Sequence, residues 1–295
     1  HKDKNFNKYT MCFKGMTESR DEEDNQYNEI SYIDNFFISA TNAFFEKIKL
    51  VFILFAVITN VIQYYIFNKE TSTGVTSFIL NDIILYLMNV KIKTHGNTHY
   101  LNDSNMLLMS NHYEGLDGLI FLSIMNKPSN NLYIVVKSDL VGNEVDKNAI
   151  SYILSFIKRA FMESSNLIAY KRGDKQSGED VKDKIMEKIT NCNSNVLVFP
   201  EGTTHKYGIL KEFKNGIFHL ASDENVEILP ITLVYERREF GSEKGDSVNF
   251  LSWMNITCNV YVHEKIRGKN WEELKQKTFN AINDAHIKNS HIKNE

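Results

Sequence analysis

The stretch Met106-Leu107-Leu108-Met109-Ser110-Asn111-His112-Tyr113-Glu114-Gly115-Leu116-Asp117 decides how the chain folds. Four apolar residues lead into a polar break, in which a histidine precedes an aspartate by five positions. On a regular helix, five steps of about 100° leave two side chains roughly 140° apart, so the two cannot pair there. They pair only if the chain bends, and Gly115 supplies a residue free to take up unusual backbone angles. The reading is a strand over 106–110, a turn over 111–115 and a helix beginning near Leu116. His112 and Asp117 are then a base and its orienting carboxylate, with no nucleophile of their own. In a hydrolase triad such a histidine deprotonates a protein serine, but this sequence has no G-x-S-x-G elbow. The hydroxyl would then belong to a substrate.

A second run has the same shape: Val196-Leu197-Val198-Phe199-Pro200-Glu201-Gly202-Thr203-Thr204, followed by Lys211-Glu212-Phe213-Lys214-Asn215-Gly216. It reads as a strand apolar on both faces, stopped by proline and followed by a polar turn. Glu201, Gly202 and the two threonines fall where loops at strand ends form binding sites.

These two blocks resemble the PlsC-like glycerolipid acyltransferases, the 1-acylglycerol-3-phosphate acyltransferase superfamily. The first matches the family's Asn-His-x4-Asp motif and the second its Phe-Pro-Glu-Gly-Thr motif. Between them Ile168-Ala169-Tyr170-Lys171-Arg172 resembles the family's second block, and after them Ile228-Leu229-Pro230-Ile231-Thr232 resembles the fourth. The four stand in the family's order. The resemblance implies that His112 is the general base toward an acceptor hydroxyl and Asp117 its partner. It also implies that Arg172 and the Glu201-Gly202-Thr203 turn hold a glycerol phosphate. A guanidinium grips phosphate with paired hydrogen bonds and a turn offers backbone N–H groups, so the assignment is chemically coherent. Glu201, itself an anion, is expected to accept from a hydroxyl, to position Arg172, or to act structurally. Thr204 stands where many phosphatidic-acid-forming members carry arginine, which points toward acceptors with larger head groups. Lys137, in a stretch similar to the family's Lys-x-Glu-Leu, is a further cation for phosphate or acyl donor.

The charge balance, −3 with acids and bases nearly equal, gives no broad electrostatic reason to expect nucleic acid. Cys12, Cys192 and Cys258 fall in no metal-ligand or redox spacing and fit a reducing compartment. Residues 48–67 are almost entirely apolar, about the ~20 residues that cross a bilayer core. They start too far along the chain for a cleavable signal peptide. Residues 78–90 read as an amphipathic helix with a narrow polar stripe of Asn81, Asp82, Tyr86 and Asn89. Together, as the resemblance to bacterial members implies, the two segments form a helical hairpin dipping into one leaflet.

The expected fold is α/β, a mixed sheet flanked by helices with an N-terminal membrane-associated helical hairpin. Its strands are expected near 90–95, 106–110, 132–137, 166–170, 196–199 and 228–235, with another over 254–262 and a helix over 271–287. The expected organisation is a polar arm over 1–47, a membrane-associated segment over 48–90, the catalytic domain over 91–290 and a tail over 291–295. The closing residues 286–295, a short polar duplication, read as a frayed end. The expected reaction moves a fatty acyl group from acyl-CoA or an acyl carrier protein to a lysophospholipid or 1-acylglycerol-3-phosphate. No cofactor or metal is expected, and oligomeric state is not legible. The expected location is the endoplasmic reticulum or another internal membrane, with a cytosolic active site. Two other classes stay open: a transacylase working without CoA, and a non-catalytic lipid-binding membrane protein. A metal hydrolase has less support, because no further ligands cluster near His112 and Asp117.

Overall fold

The structure is a computed structural model that describes residue 51 and residues 75–125, 132–137, 166–171, 175–204, 210–236 and 254–290. Every secondary-structure element named below belongs to the compact unit Ile53–Glu295. The strands are β1 Lys91–Gly96, β2 Met106–Ser110, β3 Leu132–Lys137, β4 Leu167–Tyr170, β5 Asn195–Val198, β6 Glu227–Tyr235 and β7 Thr257–Val262. The helices are α1 Val75–Leu87, α2 Leu116–Ile124, α3 Lys175–Asn191, α4 Gly216–Asp223 and α5 Trp271–Asn289. The strands form one sheet in the order β1-β7-β6-β2-β5-β3-β4. Only β6 and β7 run antiparallel; every other neighbouring pair is parallel. The sheet is therefore mixed, as the sequence predicts.

β2 lies between β5 and β6 and is buried along its whole length. Its side chains alternate: Met106 and Leu108 join a core with Leu116, Ile120 and Phe121 of α2, and with Ile84 and Leu85 of α1. Leu107 and Met109 join a core with Val181 and Ile185 of α3, Phe218 of α4 and Leu274 of α5. Covering both faces explains why β2, β5 and β6 are nearly continuous apolar runs. From β2 the chain crosses to β3 on one side, and from β5 it returns past β2 to β6 on the other. This reversal brings the carboxyl ends of β2, β5 and β6 together at the edge where sheets of this kind usually take their ligands.

β2 and β3 match expectation at both ends, and the bounds of β1, β4, β5 and β6 differ by one residue at most, as ladder ends commonly do. The seventh strand begins at Thr257, since Met254 and Asn255 make a turn before it. At the other end of the β1–β7 pair, Gly96 has φ +80, and a Cβ there would collide with the Val262 carbonyl oxygen. No side chain fits at that position.

Three readings need correction. Gly115 has φ −59 and ψ −23, ordinary helical angles open to any residue, so the bend before α2 does not use glycine's freedom. Only part of the polar stripe on α1 faces outward. Asn81 Nδ2 donates to the Leu119 carbonyl at 3.1 Å and Ser123 Oγ donates to Asp82 Oδ1 at 2.8 Å, while Ile83 and Tyr86 are exposed. Amphipathicity located a special face but could not tell that α2 would supply its polar partners. The third correction concerns the frayed end: α5 continues to Asn289, and His286 is buried in its last turn.

Of the hairpin, the second segment is seen as α1. Residues 52–67 lie outside the described residues, as do the arm and the 291–295 tail. Among the described residues no helix is long and apolar enough to cross a membrane.

Candidate active site

The site begins where β2 leaves the sheet. After Ser110 the backbone turns away from β6, but the Asn111 side chain continues the ladder. Its Nδ2 donates to the Leu233 carbonyl at 2.9 Å and its Oδ1 accepts from the Leu233 N–H at 2.8 Å. A carboxamide has the donor and acceptor of a peptide group, so the β6 polar groups stay satisfied while the chain is free to turn.

The turn itself is held by Asp117, which is completely buried in the first turn of α2. Its Oδ2 accepts from the N–H of Tyr113 at 2.6 Å and of Glu114 at 3.0 Å, and lies 2.8 Å from His112 Nδ1. Its Oδ1 accepts from the Tyr235 hydroxyl at 2.6 Å. Four donors around one carboxylate offset the cost of removing it from water. They also fix the imidazole tautomer, because Nδ1 must carry the proton it gives to Asp117, leaving Nε2 as the acceptor.

His112 is held on two further sides. Its ring stacks on Phe199, with centroids 4.0 Å apart and planes 15° apart. Its backbone N–H donates to Glu201 Oε1 at 2.9 Å. The side chain stays 22% exposed, and among the described residues nothing hydrogen-bonds Nε2. The arrangement is a partly exposed imidazole oriented through Nδ1, the geometry that a general base would need.

Glu201 is buried, and its Oε2 accepts from the Lys211 N–H at 2.8 Å. The carboxylate thus joins the β2 exit, the β5 exit and the segment leading to α4. We expect Glu201→Ala to strand two backbone N–H groups, each costing about 1–3 kcal/mol, and to lower both the melting temperature and turnover. Parallel thermal unfolding and kinetic measurements check this. A raised KM with an unchanged melting temperature would instead make Glu201 a substrate ligand.

Gly202 has φ +66, the left-handed region that favours glycine, and its N–H closes a turn onto the Phe199 carbonyl at 2.9 Å. That N–H is therefore already used. Thr203 is half-buried and makes no hydrogen bond among the described residues, so its hydroxyl and N–H are open. The Thr204 carbonyl accepts from Lys211 Nζ at 3.0 Å. Lys137 ends β3, two strands from β2, about 10 Å across the sheet and on the same carboxyl edge. Arg172 lies outside the described residues; Lys171, directly before it, follows β4 on that edge as well.

Sequence reasoning missed the residues behind the base. Tyr235 ends β6, is 118 positions from Asp117 and carries no local signal. Opposite it in the ladder is Cys258. Tyr113, edge-on to Tyr235 at 5.4 Å, hydrogen-bonds His286 of α5 through its hydroxyl. Burial, then the nearby Asp117 charge, pushes the Tyr113 and Tyr235 phenols and the Cys258 thiol well above their usual values. These three groups stay neutral around the Asp117 carboxylate.

The family model described as Acyltransferase matches residues 91–234, a span holding all four motif blocks and both halves of the His112–Asp117 pair. That span is a PlsC-like acyltransferase domain. A 1-acyl-sn-glycerol-3-phosphate acyltransferase of Borreliella burgdorferi is 23% identical to this acyltransferase over 200 residues, 68% of this chain and 71% of that protein. Human 1-acyl-sn-glycerol-3-phosphate acyltransferase alpha is 27% identical over 150 residues, 51% of this chain and 48% of its own. The matched stretch thus spans only about half of the human relative. The crystal structure of the 1-acyl-sn-glycerophosphate acyltransferase PlsC from Thermotoga maritima shares the fold of this acyltransferase. Its TM-score is 0.50 at 15% identity, over 82% of this chain and 97% of that one.

Proposed function

We propose that this acyltransferase moves a fatty acyl group from a thioester donor, acyl-CoA or an acyl carrier protein, to the free hydroxyl of 1-acylglycerol-3-phosphate. The observation that carries the reading is the His112 imidazole, bound at Nδ1 by Asp117 and, among the described residues, without a hydrogen bond at Nε2. Nε2 takes the proton of the acceptor hydroxyl as that oxygen attacks the thioester carbonyl. The tetrahedral intermediate collapses, the carbon–sulfur bond breaks, and the imidazolium returns the proton to the leaving thiolate. The products are a diacylglycerol phosphate and a free thiol, with no acyl-enzyme between them.

Thr203, whose hydroxyl and N–H are open, and Lys137 on the same edge would hold the acceptor phosphate together with Arg172. The names of the relatives favour lysophosphatidic acid as acceptor, whereas Thr204 in place of arginine favours larger head groups. Acceptor and acyl chain both partition into bilayers at about 0.8 kcal/mol per CH₂, so the enzyme would work at an internal membrane, its site facing the cytosol.

The test is incubation of the purified, detergent-solubilised protein with acyl-CoA and a panel of lysophosphatidic acid, lysophosphatidylcholine and lysophosphatidylethanolamine. Products are identified by mass and thiol release is followed in parallel. Acylated lysophosphatidic acid with stoichiometric thiol supports the proposal. Acylation without thiol release would make the protein a transacylase, and lipid binding without product would make it non-catalytic.

A further inference from the structure

Asp117 differs from an ordinary orienting carboxylate in how its two oxygens are used. Oδ2 serves the turn and the base together, accepting from Tyr113 N–H, Glu114 N–H and His112 Nδ1. Oδ1 has one partner among the described residues, the Tyr235 hydroxyl. We infer that Tyr235 is a positioning residue for the reaction, holding the far oxygen of Asp117 and thereby setting both the plane of the carboxylate and the proton affinity of His112. The inference rests on the assignment of His112 as general base.

The phenol can only donate to an ionised carboxylate, so the direction of this bond is fixed. At 2.6 Å it is in the range of charge-assisted O–H···O⁻ bonds. Tyr235 cannot readily swing away, since it ends a strand buried along its length, packs edge-on against Tyr113 and faces Cys258 across the ladder. Its phenol is held neutral by burial and by the Asp117 charge, so it stays a donor across the working pH range.

The electrostatic consequence has a definite sign. The donor spreads part of the carboxylate charge toward Tyr235, away from the imidazole. Without it the full charge acts on the imidazolium, which then holds its proton more tightly. The other ionisable groups facing the pair are the same in both proteins, except that the Cys258 thiol, held neutral by burial, loses its hydrogen bond with Tyr235. They are Tyr113 and the buried Glu114 on the turn, Glu201 beyond β5, Cys258 on β7, and His286 on α5, which acts through Tyr113.

The test compares wild type with Tyr235→Phe and, as a control for losing a buried hydroxyl, Tyr113→Phe. The His112 ring is titrated by ¹³C NMR, which needs no turnover. In Tyr235→Phe the His112 midpoint should rise, leaving less of the free base at a fixed acidic pH. Tyr113→Phe should leave the midpoint in place. In kinetics, Tyr235→Phe should lower kcat with KM nearly unchanged, and its acid limb should move to higher pH by the same amount. A purely structural role predicts a lower melting temperature and an equal loss at every pH.

An unmoved midpoint in folded Tyr235→Phe overturns the inference. If that variant does not fold, the wild-type Tyr235 ¹³Cζ resonance decides: it should follow the His112 titration, and a flat response overturns the inference. A wild type that transfers no acyl group, beside a Tyr235→Phe variant whose midpoint is shifted, refutes the proposed reaction and leaves the hydrogen-bond coupling supported.

Discussion

His112→Ala is expected to lower kcat by about a hundred- to ten-thousand-fold, the range attributed to a positioned general base, while leaving the protein folded. The loss is confined to chemistry because of how the residue is held. Its ring is partly exposed and its backbone N–H still reaches Glu201 after truncation. Asp117 keeps Tyr113 N–H, Glu114 N–H and the Tyr235 hydroxyl. The packing lost is mainly the stack on Phe199. Product formation from lysophosphatidic acid and acyl-CoA measures the effect, with circular dichroism to verify folding. Acyl transfer by the variant at the full rate would remove His112 from the mechanism.

Asp117→Asn should cost nearly as much, about a thousand- to ten-thousand-fold in kcat by analogy with the aspartate of a hydrolase triad, for a different reason. The asparagine carbonyl can take the place of Oδ2 and keep the turn, while its NH₂ group meets Tyr235, whose hydroxyl can accept as well as donate. The shape survives, but a neutral amide no longer stabilises the imidazolium that forms as the acceptor loses its proton. The variant should therefore purify and melt much like wild type while turning over very slowly. Alanine is the wrong probe. It would leave two backbone N–H groups, a phenol and the imidazole N–H unpaired in a buried place, at about 1–3 kcal/mol each, against a typical domain stability of about 5–15 kcal/mol. An unchanged rate for the asparagine variant at every pH would reduce Asp117 to a helix-start residue.

How much of this was readable beforehand depends on whether the information is local. The strand, turn and helix from Met106 to Ile124 are encoded by adjacent residues, and the 140° argument required a bend wherever the glycine stood. The bend turned out to be secured by the Asp117 carboxylate rather than by Gly115, because one side chain accepting two backbone N–H groups stabilises a turn that standard backbone angles already permit. The apolar runs of β2, β5 and β6 were legible because burial on both faces removes ambiguity about which side chains point inward. α1 was half legible: its polar side chains marked a special face, but their partners Leu119 and Ser123 come 38 and 41 positions later. Tyr235, Phe199 and His286 joined the site through contacts across the sheet that no spacing rule reaches. Glu201 was found by its motif, whereas its grip on two backbone segments could be seen only in three dimensions.

The hydrogen bond between Tyr113 and His286 ties together residues 173 positions apart. It has a bearing on when the chain becomes an enzyme. On a ribosome adding about 5–20 residues per second, roughly 10–35 seconds separate the emergence of the two partners. Tyr235 arrives only in the later part of that interval. Until then the loop that carries His112 lacks its contacts with β6 and α5. His112 is among the earlier parts of the sheet to be synthesised, while two residues that hold its loop follow more than a hundred positions later, so a chain cut short before them would lack those contacts.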